Sequence, residues 1–175
     1  MMLNNRFKQK IIKSFYEGRL FRIYSIILRI LSFFIYFKKK FNVNVLSTGE
    51  KFKFSISLSQ EYKKLYPTLL WRAFGIYEPY TSLAIKKYVN KDDEVLELGA
   101  AYGYFSIQFS KVCKSLYSVE PNSLCFSYLK NNLDINKCSN VKIYKEAIGN
   151  PTVGNIKLFD GTKIKPNYIT NIFKR

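Results

Sequence analysis

Two carboxylates and a glycine-bracketed run set out the chemistry open to this sequence. Glu97 stands two residues before Gly99, and Gly99 and Gly103 enclose Ala100, Ala101 and Tyr102. Glycines at such a place let a ligand approach the backbone. An acid just ahead of them suits a ligand that carries an ammonium group and would repel a pyrophosphate. Glu120 follows at about the distance expected of a ribose-binding acid, some 20 residues beyond the loop. A carboxylate there can accept both ribose hydroxyls, each bond worth about 1.5–3 kcal/mol. Pro121 and Asn122 come next, and further on Glu146 and Ala147 fall where an adenine would lie, with Glu146 placed to accept from its amino group. Singly, Glu120 reads as a solvated strand-end acid and Glu146 as an ordinary surface acid. Glu120 paired with Glu97 and the glycine run favours a ligand with ammonium and ribose, and S-adenosylmethionine is such a ligand.

Other chemistries are excluded by what the chain lacks. No lysine follows Gly103, so the G-x-x-x-x-G-K-[ST] pattern of a P-loop is absent. The G-x-x-x-G spacing also departs from the G-x-G-x-x-G of dinucleotide enzymes, which speaks against a dehydrogenase. The 175 residues include no histidine, which removes a Ser-His-Asp triad, a histidine base and the usual histidine metal sites. Cys113, Cys125 and Cys138 are odd in number and form no C-x-x-C pair, so neither a disulfide framework nor a zinc site is expected. A reducing cytoplasm follows as the expected compartment.

The elements that must position these residues read as α/β. Leu83–Val89 has helical character; Glu94–Leu98 is a short apolar strand that meets the glycine run, and Phe105, Phe109 and Val112 then recur at helical spacing. In a parallel sheet that loop sits at the carboxyl end of its strand, where ligands bind, and the next helix offers free N–H groups. Ser115–Glu120 reads as the next strand. Asn122 is a plausible N-cap of a helix whose apolar face is Phe126, Leu129 and Leu133. Asn140–Tyr144 gives a third strand. Ahead of this region Lys51–Leu58 alternates polar with apolar residues, as a strand with one buried face does. The division expected is a basic and hydrophobic extension over 1–66 and a partial donor-binding domain over 67–175.

The runs VLELGAAYGYFS, SVEPNSLCFSYLKNNLDIN and VKIYKEAIGN together resemble the FkbM-type methyltransferases of the class I fold, over roughly residues 76–150. The resemblance implies a Rossmann-like sheet, S-adenosylmethionine as methyl donor, and methylation of a hydroxyl, often on a sugar in a glycan or metabolite. It assigns donor binding to Glu97, Gly99–Gly103, Glu120, Pro121, Asn122, Glu146 and Ala147. The family often has Asp at the position of Glu97 and Asn at that of Ala101; the first difference keeps the charge, the second removes a polar contact. Such a fold has seven strands with the first in the middle of the sheet, whereas this chain supplies three and a short further candidate at Asn155–Phe159. Only the N-terminal half is expected, leaving Val95–Leu98 with an open edge. Truncation accounts for this best, with a degenerate remnant or a second chain that completes the sheet as alternatives. No residue stands out as a catalytic base.

Charge and hydrophobicity give the remaining expectations. The net charge is +17, and residues 1–40 hold ten Lys or Arg against one acid, Glu17. Residues 20–37 (LFRIYSIILRILSFFIYF) form the most hydrophobic run, interrupted by Arg22 and Arg29. As a helix it would place Arg22, Ser25, Arg29 and Ser32 on a narrow polar stripe. Residues 19–40 therefore fit an interfacial anchor at the anionic inner membrane surface, or a helix packed on the domain or on a second subunit. The charge also admits an RNA methyltransferase, although the Asn/Asp-Pro-Pro-aromatic motif of base N-methyltransferases is absent and Asn150-Pro151-Thr152-Val153 does not replace it. A module that keeps the donor fold without turnover, bound to a membrane surface or a partner, is the reading from another class.

Overall fold

Parallel strands joined by helices form the centre of the molecule, in a computed structural model that describes residues 40–56 and 66–148. In chain order the elements are β1 (Lys40–Asn44), β2 (Lys51–Ser55), α1 (Tyr66–Ala73), α2 (Pro79–Tyr88), β3 (Glu94–Leu98), α3 (Tyr104–Ser110), β4 (Ser115–Val119), α4 (Ser123–Ile135) and β5 (Val141–Tyr144). Strands β3, β4 and β5 pair in that order, all parallel, with Glu97 opposite Ser118 and Ser118 opposite Ile143. This is the partial Rossmann-like sheet expected, with α3 and α4 as the crossovers. The basic hydrophobic run at 20–37, the candidate strand at Asn155–Phe159 and the end of the Lys51–Leu58 run lie outside the described residues. Among the described residues no helix is long and apolar enough to cross a membrane.

Strands β1 and β2 form an antiparallel hairpin with Phe41 opposite Phe54 and Val43 opposite Phe52. The alternation that makes these strands also sorts their side chains, because successive residues point to opposite faces. Phe41, Val43, Val45, Phe52, Phe54 and Ile56 go inward, while Lys40, Asn42, Asn44, Lys51 and Lys53 stay outside. Only β2 was expected there. The hairpin shares one core with Leu69 and Leu70 of α1, Tyr104 and Ile107 of α3, and Leu129 and Leu133 of α4. Residues 40–56, placed with the extension on sequence grounds, thus pack directly against the helices that cover the sheet.

Two asparagines close the outer edge of β2. The Asn132 amide accepts from Ser55 N–H at 2.7 Å and donates to the Ser55 carbonyl at 3.0 Å. The Asn136 amide repeats this on Lys53, at 2.9 and 2.7 Å. The repeats match: four residues of helix rise about 6 Å and two residues of strand about 6.6 Å. A side-chain ladder therefore stands in for a neighbouring strand and satisfies an edge that would otherwise be exposed.

The central sheet is covered on one face only among the described residues. Val95 and Glu97 share their face with Leu116 and Ser118, beneath α3 and α4. On the opposite face Leu96 and Leu98 remain 61% and 56% exposed, and Tyr144 is exposed beside them. Strand β3 pairs with β4 alone, so its other edge has no partner among the described residues, as the sequence suggested.

Candidate functional site

The loop after β3 is built by backbone geometry that few sequences accept. Gly99 and Gly103 have φ of +79° and +80°, and Ala101 between them has φ of +49°. A side chain at Gly99 would meet nothing within 4 Å, so this glycine is required by its backbone angle and leaves open space at the strand tip. A Cβ at Gly103 would lie 2.8 Å from Leu129 Cδ1, so here the helix α4 passes too close as well. Gly99 and Ala100 both donate to the Val119 carbonyl, at 2.9 and 3.0 Å, which ties the loop to the tip of β4.

Glu120 is the organising residue. It is 6% exposed, and its Oε2 accepts the Ala101 N–H at 2.8 Å while its Oε1 accepts the Asn122 N–H at 2.8 Å. Its own N–H donates to the Tyr144 carbonyl at 3.0 Å. The expected ribose acceptor thus also holds the glycine loop, the start of α4 and the end of β5 in one arrangement. Each carboxylate oxygen has two lone-pair sites, so one on each is left for a hydroxyl donor. Asn122 caps α4 as expected, its Oδ1 accepting from Leu124 N–H at 2.9 Å and Cys125 N–H at 3.0 Å. Pro121 links these two residues and is half-buried.

Glu97 points to the covered face of the sheet. Its Oε2 accepts from Ser106 Oγ at 2.5 Å and from Ser118 Oγ at 2.8 Å. Burial pushes its carboxyl above the usual range; the two serine bonds pull it back, and the charge of Glu120 pushes it further up. Oε1 has no bonded partner among the described residues, so it can receive an ammonium. Glu146 and Ala147 lie exposed just past β5, at the same end of the sheet but with no hydrogen bond to the loop among the described residues. Tyr102 is buried, its ring 5.2 Å from that of Tyr128, and its carbonyl accepts from Asn132 at 2.8 Å.

Glu97, the loop Gly99–Gly103, Glu120 and Asn122 therefore meet around the carboxyl ends of β3 and β4. A cation acceptor and a carboxylate with spare lone pairs flank an open backbone approach, an arrangement that suits a ligand with an ammonium group and a ribose. Among the described residues no group of acidic or cysteine side chains could hold a metal ion. The three cysteines are free, and burial raises each thiol's pKa, so none is poised as a nucleophile.

Residues 80–150 match the family of the TRM5/TYW2 methyltransferase domain. That segment is part of an S-adenosylmethionine-dependent methyltransferase domain of the class I fold. The domain matched is of the TRM5/TYW2 kind rather than the FkbM kind expected from the three runs. An uncharacterized protein of Methanocaldococcus jannaschii is 32% identical over 60 residues, which are 34% of this chain and 23% of that protein. Among solved structures, TYW2 of M. jannaschii in complex with S-adenosylmethionine is 25% identical, covering 55% of this chain and 39% of that one with a TM-score of 0.37. Trm5b of Pyrococcus abyssi is 20% identical, covering 55% of this chain and 25% of that one with a TM-score of 0.38. The chain therefore spans less than half the length of each of these proteins.

Proposed function

We propose that this chain binds S-adenosylmethionine at the carboxyl ends of β3 and β4 and transfers its methyl group to RNA. The observation that carries the donor part is the Glu120 bridge, which couples a ribose-type acceptor to the glycine loop within the segment that matches a methyltransferase domain. Gly99 leaves the approach open, Glu97 Oε1 receives the ammonium, Glu120 accepts the ribose hydroxyls, and Glu146 with Ala147 borders the adenine. Methyl transfer is an in-line displacement on an activated sulfonium, so positioning is the protein's main task.

RNA is the acceptor that two independent features support. A TRM5/TYW2 match fits an RNA-modifying enzyme better than a sugar-modifying one. The net charge of +17 favours a polyanion, whose binding falls steeply with salt. The hydroxyl of a sugar, the acceptor implied by the FkbM-like runs, is the second reading, and those runs are what favours it. In either case residues 19–40 supply a basic hydrophobic segment for an anionic surface at the inner face of the membrane, and a second chain can complete the sheet along β3.

Transfer of tritium from methyl-labelled S-adenosylmethionine tests the acceptor. Full-length chain is offered total RNA, then RNA digested to nucleosides, then a mixture of oligosaccharides. Label in intact RNA alone supports the proposal. Label in oligosaccharides selects the second reading, and S-adenosylmethionine binding with no label in either leaves a donor-fold module without turnover.

A further inference from the structure

Arg72 lies in the last turn of α1 and is the one arginine among the described residues. Its guanidinium carbon lies 3.8 Å above the centre of the Tyr77 ring. Tyr77 in turn meets Tyr104 edge-on at 5.8 Å and Phe105 at 5.8 Å, the two residues that follow Gly103. The aromatic stack thus runs from the guanidinium to the end of the glycine loop.

The ordinary uses of an arginine in this place are already filled. Its helix end is closed by the chain itself: Phe74 N–H donates to the Leu70 carbonyl, Gly75 N–H to that of Arg72, and Ile76 N–H to that of Trp71. Glu78, the nearest acid in sequence, receives Thr81 Oγ1 at 3.1 Å instead. The ion pairs among the described residues are Lys111–Glu50 and Lys114–Glu94, and neither involves Arg72. None of its guanidinium N–H groups has a hydrogen-bond acceptor among the described residues. Burial lowers the guanidinium's pKa, against the pull of Tyr77 and Glu78, yet an arginine stays charged. Arg72 is half-buried, so its guanidinium is open to an anion arriving from solvent. Stacking on Tyr77 fixes the plane of its fork, the arrangement that recognises a two-oxygen anion bidentately.

We propose that Arg72 is an anion-binding residue at the rim of the donor site, taking two oxygens of a carboxylate or a phosphate. This rests on the reading of the Gly99–Gly103 loop as the donor site. Two sources offer that chemistry: the α-carboxylate of S-adenosylmethionine and a phosphate of the acceptor.

Calorimetric titration of full-length wild type, Arg72→Gln and Arg72→Lys separates them. The ligands are S-adenosylmethionine, its decarboxylated form and a short RNA. If the carboxylate is the partner, Arg72→Gln weakens S-adenosylmethionine about tenfold or more. The decarboxylated donor then binds wild type and variant alike, and Lys, which keeps the charge without the fork, restores only part of the loss. If an acceptor phosphate is the partner, donor affinity is unchanged and RNA affinity falls about tenfold, with a shallower salt dependence. Equal affinities of wild type and both variants for S-adenosylmethionine and RNA overturn the proposal. Should wild type bind neither donor form, the donor-site reading falls, and the RNA titration alone decides for Arg72. Circular dichroism checks each variant, and Arg72→Lys keeps the test valid if Arg72→Gln does not fold.

Discussion

Glu120 Oε2 receives the Ala101 N–H at 2.8 Å, across 19 residues of sequence and from one strand end to the next. The bond makes the ribose-type acceptor and the glycine loop a single unit, since the other carboxylate oxygen holds Asn122. A ligand drawn to Glu120 meets a loop already in place.

Replacing Glu120 with Gln keeps the size but leaves one acceptor oxygen for two N–H groups. One of Ala101 and Asn122 must then lose its partner, at a cost of about 1–3 kcal/mol. Urea denaturation of Glu120→Gln is expected to show a loss in that range, and titration with S-adenosylmethionine to show no binding. Full stability with full binding would contradict the role given to this carboxylate.

Ala101 sits at φ +49°, where a residue with a Cβ is strained by about 1–2 kcal/mol. Glycine relieves the strain and returns part of the gain as chain entropy, so Ala101→Gly should stabilise by about 0.5–1 kcal/mol. Asn tolerates this conformation, so Ala101→Asn should also raise the melting temperature. A fall in melting temperature for both variants would show that the loop is not held at this angle in solution.

Burial raises the pKa of Glu97 in the folded state above its unfolded value, so folding favours the protonated form. That stabilising contribution is complete below the unfolded pKa and is lost as pH rises through the folded one. Ammonium binding requires the ionised form, so affinity for S-adenosylmethionine should rise over the same acid-to-neutral window in which stability falls. Glu97→Gln should flatten both profiles and bind the donor weakly at every pH. The comparison is a set of titrations and melting curves of both proteins across that window.

Asn132 is fully buried and bonds the Ser55 N–H, the Ser55 carbonyl and the Tyr102 carbonyl. Asn132→Ala strands three backbone groups, and a loss of about 3 kcal/mol or more is expected. Because Tyr102 belongs to the glycine loop, donor affinity should fall as well. A loss below about 1 kcal/mol in urea denaturation would mean that water replaces the amide.

The parallel unit was legible because its strands and helices differ in period and the glycine run marks the change from one to the other. Strands β3, β4 and β5 and the cap at Asn122 follow from that pattern. Strand β1 was missed although Phe41, Val43 and Val45 alternate with polar residues, a signal hidden by the lysines that precede it. For α3 the expected face was Phe105, Phe109 and Val112. The residues buried are Tyr104 and Ile107, with Ser106 and Gln108, because the helix packs under the hairpin as well as on the sheet. Asn132 and Asn136 lie beside the apolar face of Phe126, Leu129 and Leu133, and only a strand passing alongside reveals their purpose. Glu120 stood out in the sequence as a candidate ligand residue, but its hold on the loop depends on the register of two strands, which spacing alone does not contain. Arg72 could not be seen as distinct from any helix-ending arginine until Tyr77 was placed beneath it.

Calorimetric titration of S-adenosylmethionine into the full-length chain, with Glu120→Gln as control, decides whether the ends of β3 and β4 carry a donor site. One site is expected in the wild type and none in a variant that circular dichroism shows to be folded. A folded wild-type protein that takes up no S-adenosylmethionine, or a Glu120→Gln variant that binds it equally well, would contradict the assignment of the donor site.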